Sequence, residues 1–339
     1  MINQRSNTGR SALALAAVLL AYTISGCKMY TLEQQRAASS VASSAVKVYP
    51  PWGRSPSGGR AFVAPNIDNV ADLYGDIVNP DLVVFFAGNQ FMVVPDLLDA
   101  FRAAHPQYKR IFVETLPPGL LASQIDMGAL VLSNLRIELK PDVYAAGAGR
   151  IAQMQQSKKM FDTTVAYADN HLAIMVREGD TAQVHSWADL GNPSVRVSMP
   201  NPAWEGIGKQ IEELYRRAGG LALDTRIMKT KVVDGTTLLT QVHHRQTPIN
   251  LMQDLADAGP TWYTEAFFQR MIGNPIGVVE LPDSMNIRVT YVAGSLKTAP
   301  HRQAAHDFVL FMRSPAAQAV YHKYGFLPVQ TTHAVRDSH

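Results

Sequence analysis

The chain has 339 residues, of which 47% are apolar, 17% are charged and one is cysteine, with a formal net charge of +3. The weak, dispersed positive balance excludes a nucleic-acid footprint, which needs clustered basic residues with interleaved aromatics. The single cysteine excludes an internal disulfide and any cysteine-based metal cluster. The length suffices for a large single domain or two modest lobes, each with a true core.

Arg5 and Arg10 precede an apolar run over 12–22, too short for a stable membrane span, so residues 1–26 read as an export signal. Residues 27–79 are rich in Ala, Ser, Gly and Pro, including Pro50-Pro51 and Ser55-Pro56-Ser57-Gly58-Gly59. They predict a flexible tether with at most a short helix around 32–46. The apolar run 82–86 then reads as a strand buried on both faces, as in a parallel sheet. Ala87-Gly88-Asn89-Gln90 ends it, and helical spacing follows over 92–104, with Val93, Leu97, Leu98 and Phe101 on one side. A strand, a small-residue turn and a helix start aim backbone N–H groups at whatever sits above the strand's end, so Gly88, Asn89 and Gln90 are the first wall of an expected ligand site.

A second unit follows: a strand over 110–115, the loop Leu116-Pro117-Pro118-Gly119 and a helix over 120–130. The prolines fix the backbone where the helix begins, and Gly119 permits close approach. The third unit is a strand at 141–145, then Gly147-Ala148-Gly149 and a helix over 150–157. Residues 163–177 are too long for one ordinary strand and are interrupted at Tyr167-Ala168-Asp169-Asn170; they read as a strand leaving one sheet and entering another. Further units are a strand at 195–199, the loop Pro200-Asn201-Pro202, a helix over 204–218, a helix over 236–245, and strands at 257–263 and 276–281. Residues 286–296 are the return crossing, and amphipathic helices over 300–313 and 315–323 close the chain. Alternating strands and helices predict an α/β fold of mostly parallel sheets flanked by helices. Two crossings predict two lobes, 80–168 with 290–339 and 169–289, around a ligand cleft.

Several short patterns in this order resemble the type II periplasmic binding proteins. They are Val84 to Asn89, Phe101-x-x-x-His105-Pro106, Pro141-Asp142-Val143-Tyr144, Tyr167-x-x-Asn170-x-Leu172, Trp187-x-Asp189-Leu190, Asn201-Pro202-x-x-Glu205-Gly206, Ala304-x-x-x-Phe308 to Ser314-Pro315, and Tyr321-x-x-Tyr324-Gly325-Phe326. The series, over about 82–328, is most similar to the molybdate-binding branch of the solute receptors of ABC transporters. Ile24-Ser25-Gly26-Cys27 resembles the lipobox of bacterial lipoproteins. That resemblance implies lipidation of Cys27 and a periplasmic or cell-envelope location on the inner or outer membrane. The branch implies two hinged lobes that close on a small anionic or polar solute, hold it through helix-start N–H groups and hydroxyls, and deliver it to a permease. Neutral donors and helix dipoles stabilise a buried anion without a fully desolvated counter-charge. This chain departs from the branch in having Gly88-Asn89-Gln90 and Pro118-Gly119 where hydroxyl donors are usual, and proline supplies no N–H.

In the second lobe, His243-His244-Arg245 ends the expected helix over 236–245. Adjacent histidines on a helix point about 100° apart, so a metal pair is not assigned. The three residues either complement the helix dipole, or present Arg245 or one histidine to a carboxylate or oxyanion. By the resemblance Tyr263, beside Trp262, stands where the branch has a ligand-contacting tyrosine; packing beneath the hinge is the alternative. Glu265 opposes an anion, or pairs with Arg245 or a ligand amine. Asn201 and Glu205 either contact solute or serve as a cap and first-turn acid, and Asn170 secures the hinge or touches solute. Neither a Gly-x-Ser-x-Gly elbow, a His-Glu-x-x-His pair, a Walker loop nor a Gly-x-Gly-x-x-Gly turn is present, so no enzyme, catalytic residue or cofactor is expected. The expected function is a monomeric, lipid-anchored solute receptor of an ABC importer. The alternative is a tethered sensory protein that partners a periplasmic receptor domain.

Overall fold

The computed structural model describes residues 60–62, 71–132, 135–179, 184–203, 205–240 and 243–330. The export signal, Cys27, the expected helix around 32–46 and Trp204 lie outside them.

The apolar run that opens the first unit is β3 (Leu82–Ala87), with every side chain buried. Strand β4 (Ile111–Leu116) pairs parallel to it on one side, Leu82 opposite Ile111, and β7 (Val143–Gly147) pairs parallel on the other, Val84 opposite Val143. A 3₁₀ turn (Gly88–Val93) leads from β3 into α1 (Val94–Ala104), which buries Val94, Leu97, Leu98 and Phe101. Helix α2 (Pro118–Met127) starts at the paired prolines and stops at Gly128, whose φ of 62° is left-handed. The helix expected as far as Leu130 therefore ends early, and a hairpin of β5 (Ala129–Leu132) and β6 (Leu135–Glu138) takes its place. Helix α3 (Ala148–Lys158) completes the third unit.

Part of the expected tether is structured. Strand β1 (Arg60–Phe62) pairs antiparallel with β2 (Ala71–Gly75), and β2 pairs antiparallel with β4, placing Asp72 opposite Thr115. The short run of Leu73 and Tyr74 among Pro- and Ser-rich sequence hides this strand, whose role is to cover the otherwise open edge of β4. Tyr74 is buried, and its hydroxyl donates to the Phe91 carbonyl at 3.2 Å.

The long crossing is β8 (Phe161–Arg177), continuous through the expected interruption. Its first part pairs antiparallel with β13 (Arg288–Leu296), and its second part with β11 (Ala258–Trp262) and β12 (Ile276–Glu280). Tyr291 faces Ala168 and Val292 faces Ala166, so Tyr167 is a bulge residue. The bulge sends its hydroxyl to Gln90 Oε1 at 2.6 Å.

Beyond β8, β9 (Val197–Met199) lies parallel to β10 (Thr237–Leu239) and to β11. Helix α4 (Gly206–Thr225) bends at Gly219 and Gly220. The helix expected over 236–245 does not form. Gly235, at φ 73°, turns the chain, and the Thr236 carbonyl accepts from Val197 N at 2.8 Å. Thr237 to Leu239 then pair with β9, so His243-His244-Arg245 occupy a turn ahead of α5 (Gln246–Met252). Helix α6 (Tyr263–Met271) follows β11, while α7 (Arg302–Phe311) and α8 (Pro315–Lys323) end the fold, α8 capped by Ser314.

The result is one mixed sheet of 11 strands, ordered β1-β2-β4-β3-β7-β13-β8-β11-β9-β10 with β12 on β8. Parallel strands form the heart of each half, and β10 extends the second half in parallel, while the crossings and the β1–β2 edge are antiparallel, so the sheet as a whole is mixed. Two main apolar clusters divide along β8. Tyr167 and Ala168 belong to the first, with Phe86, Phe101 and Phe308; Leu172 and Ile174 belong to the second, with Trp187, Ile211 and Tyr215. Among the described residues no helix is long and apolar enough to cross a membrane.

Candidate functional site

The strand ends of both halves meet along a seam closed by Arg245. Its side chain is 2% exposed and crosses from the turn after β10 to the first wall. Its Nη2 donates to Asp72 Oδ2 at 2.9 Å and to the Gly88 carbonyl, and its guanidinium lies 4.1 Å above the centre of the Phe91 ring. A planar guanidinium has five N–H donors, and here Nε and Nη1 are buried with no acceptor. Burial raises the pKa of Asp72, an effect opposed by Arg245 and Thr115.

The two histidines beside Arg245 differ sharply. Because they lie in a turn and not on a helix, their rings approach to 3.9 Å between centres, which corrects the expected divergence. His244 is clasped between carboxylates, Nδ1 at 2.7 Å from Glu205 Oε2 and Nε2 at 2.9 Å from Glu265 Oε2. Burial alone lowers the pKa of His244, but Glu265 and Glu205 outweigh it and raise it to about 9. His244 is thus an imidazolium at neutral pH. His243 is lowered well below the ordinary range by burial, with His244 and Arg245 adding to the effect, and is neutral. Its Nδ1 accepts from Arg245 N at 3.2 Å. A Cβ on Gly88 would stand 3.4 Å from His243 Nε2 and 3.3 Å from the Leu116 carbonyl carbon. The absence of a side chain at Gly88 is what lets the two halves come this close.

Around this seam the other expected residues sort into two groups. Gly88, Glu205, Arg245 and Glu265 are brought together. Glu205 is held by Thr240 Oγ1, by Asn201 N at 3.3 Å and by His244 N at 2.7 Å, so Asn201 acts through its backbone. Glu265, pictured as a partner of Arg245 or of a ligand amine, pairs instead with His244 and accepts from Thr261 Oγ1 at 3.2 Å. Asn89 donates to the Tyr291 hydroxyl on the return crossing. Gln90 accepts from Tyr167 at 2.6 Å and Tyr321 at 3.1 Å, tying the first loop to the crossing and to α8.

The remaining residues stand apart from Arg245. Asn170 donates to Thr264 Oγ1 at 2.9 Å and holds the crossing to α6. Tyr263 stacks on His171 of the crossing, 4.5 Å between ring centres, and Trp262 packs on Tyr291, so both brace the two crossing strands. The Pro118 carbonyl accepts from Tyr144 at 2.9 Å. Gly119 is exposed, and a Cβ there would meet nothing within 4 Å, so no close approach demands glycine. Asp72 and Phe91 were not singled out from sequence; the alternation Asp72-Leu73-Tyr74 was the available signal for the first.

A concavity of about 350 Å³ lies at the opposite end of β3, lined by residues including Val78, Pro80, Val83, Lys140 and His301. Lys140 there is exposed, so this hollow lacks the desolvated donors found at Arg245.

Comparison with known proteins gives a consistent lineage. Among curated proteins, the sulfate-binding proteins of Synechococcus elongatus and Synechocystis are 24% and 22% identical to the chain over 165 and 168 residues. These matches take in 46% and 47% of this chain and the same shares of the relatives, so the chain spans about half the length of the curated relatives it matches. The periplasmic molybdate-binding protein of Azotobacter vinelandii has a TM-score of 0.58 at 16% identity, covering 74% of this chain and 100% of that one. A sulfate-binding protein from Mycobacterium tuberculosis has a TM-score of 0.58 at 18% identity, covering 74% and 87%. At such identities the likeness establishes the fold, that of the type II periplasmic binding proteins. The model of the bacterial extracellular solute-binding proteins matches residues 82–327, and the chain belongs to that family.

Proposed function

We propose that the protein is an extracytoplasmic receptor that captures a small oxyanion at the Arg245 seam and delivers it to an ABC importer. The observation that carries this reading is the buried guanidinium with acceptor-free Nε and Nη1 beside the backbone of the first loop. Charge-assisted hydrogen bonds from a desolvated, fork-shaped donor suit a tetrahedral or planar anion. The fold relatives that bind sulfate and molybdate support the same ligand class.

In this reading residues 80–168 with 290–339 form one lobe, 169–289 the other, and β8 and β13 are the hinge. Arg245 and Gly88 are the ligand-facing groups. Asn89, Gln90, Asn170, Trp262 and Tyr263 set the closed geometry, and Pro118, Gly119 and Asn201 shape the rim. In the same reading residues 1–26 serve as the export signal and Cys27 carries a lipid anchor in the periplasm, and the protein is a monomer that binds and releases its solute without chemistry. Titration calorimetry of the full chain with sulfate, molybdate, phosphate and small carboxylates tests the proposal. Saturable one-to-one binding of an oxyanion is expected; silence from folded protein toward every anion overturns it.

A further inference from the structure

The second half of the fold carries a cluster that anion capture leaves unused. Glu205, His243 and His244 each offer a ligand atom, all within 4.8 Å of one another, and Glu265 Oε2 is 2.9 Å from His244 Nε2. None of the four is more than 6% exposed. Three separate segments supply them: the loop after β9, the turn after β10 and the first turn of α6. Outer partners fix the carboxylates, Thr240 Oγ1 and Asn201 N on Glu205 and Thr261 Oγ1 on Glu265. Such orienting contacts are what metal ligands usually have behind them.

We propose that Glu205, His243 and His244 form a binding site for a divalent transition-metal ion, with Glu265 behind His244 Nε2 as the outer partner that orients the ring. Two imidazoles with one carboxylate, and a fourth position open to water, suit zinc, whereas calcium and magnesium prefer all-oxygen shells. In the arrangement described, the His244 ring stands between the carboxylates, and a proton on its Nδ1 fills the space toward Glu205 that the ion would take. On loading, that proton leaves to solvent, and the freed nitrogen lone pair and the Glu205 carboxylate turn to the ion. Loss of that proton adds one negative charge to the cluster, which the divalent ion offsets. The 2.7 Å contact between Glu205 and His244 must open, because adjacent donors of a tetrahedral zinc ion, each about 2.0 Å from the metal, lie about 3.3 Å apart. That is a movement of about half an ångström, within side-chain reach. Ligation through His243 Nδ1 gives up only its 3.2 Å bond from Arg245 N.

The site is independent of the anion donors on Arg245, so the two proposals fail separately. The full chain is stripped with a chelator and titrated with zinc in buffer free of sulfate, phosphate and carboxylates. The titration is repeated in buffers of different ionisation heat, and cobalt is used to read the ligand-field spectrum. We expect one saturable site, release of about one proton per ion as a neutral histidine becomes the ligand, and a nitrogen–oxygen cobalt spectrum. His244→Gln and Glu205→Gln each weaken zinc at least tenfold. Absence of saturable binding to the wild-type chain overturns the proposal, and so does zinc affinity unchanged in both variants.

Discussion

Replacing Arg245 by methionine removes a cation from a seam where Asp72 is buried with it. Breaking a buried ion pair from one side costs about 3–5 kcal/mol, because the remaining charge is left uncompensated. Arg245→Met should therefore lower the urea midpoint strongly, while Arg245→Met combined with Asp72→Asn should recover much of the loss. The reason is visible in the contacts: Asp72 keeps only Thr115 Oγ1 once Nη2 is gone, whereas an asparagine tolerates burial with one hydrogen bond. Affinity carries a separate signature. A charge-assisted hydrogen bond is worth about 1.5–3 kcal/mol, so loss of one such bond from Nε or Nη1 weakens an oxyanion by about 10- to 100-fold. The double variant should be stable yet remain defective in binding. Unfolding by urea and calorimetry on the same four proteins, wild type, both single variants and the double, gives the two coupling energies. Stability of Arg245→Met within about 0.5 kcal/mol of wild type, the range of an ordinary surface substitution, together with unchanged anion affinity, refutes the reasoning.

Three further outcomes follow from individual contacts. Burial pushes Glu114 up to about 8, with Gln124 Nε2 at 3.2 Å opposing the shift. Its folded pKa lies above the unfolded value, so its stabilising contribution is complete below about pH 4 and is lost as pH rises through about 8. Each pH unit between removes about 1.4 kcal/mol, roughly 3 kcal/mol from pH 5 to pH 7. Glu114→Gln should flatten the urea midpoint across that range, and parallel curves for the two proteins contradict the assignment. Gly88→Ala places a methyl group 3.3–3.4 Å from Leu116 and His243 and crowds the seam. It should destabilise by about 1–3 kcal/mol and weaken anion binding, and a variant indistinguishable from wild type in both would show that the halves do not need to approach there. Tyr167→Phe leaves Gln90 Oε1 with Tyr321 alone; a loss of about 1 kcal/mol with anion affinity intact is expected, and a large loss of affinity would place Gln90 in the site itself.

Much of the first half was readable because its physics is local. The apolar run at 82–86 and the prolines at 117 and 118 each impose one conformation, and β3 and the start of α2 fall where they predict. Asp72 escaped because an edge strand of five residues is stabilised by its partner β4 and not by its own pattern. The stretch 236–245 misled for a related reason: Thr237 to Leu239 gain a parallel neighbour in β9, and tertiary pairing overrides a helix-like spacing. Once that stretch is a strand and turn, His243 and His244 lie side by side and Arg245 points across the seam. Sequence reading placed Arg245, Glu205 and Glu265 among the candidates but not their pairing, since which carboxylate meets His244 depends on how three separate loops converge. Tyr263 illustrates the converse, an aromatic whose stacking partner His171 draws it to the crossing strand.

The proposed anion site lies at Arg245, between the two halves. Crystals of the full chain grown with selenate or tungstate allow the anion to be located by its anomalous scattering. An anomalous peak within hydrogen-bonding reach of Arg245 Nε or Nη1, and near the Gly88 backbone, is the predicted result. A peak in the hollow beside Lys140 and His301, with the Arg245 seam unchanged and free of anion, contradicts it.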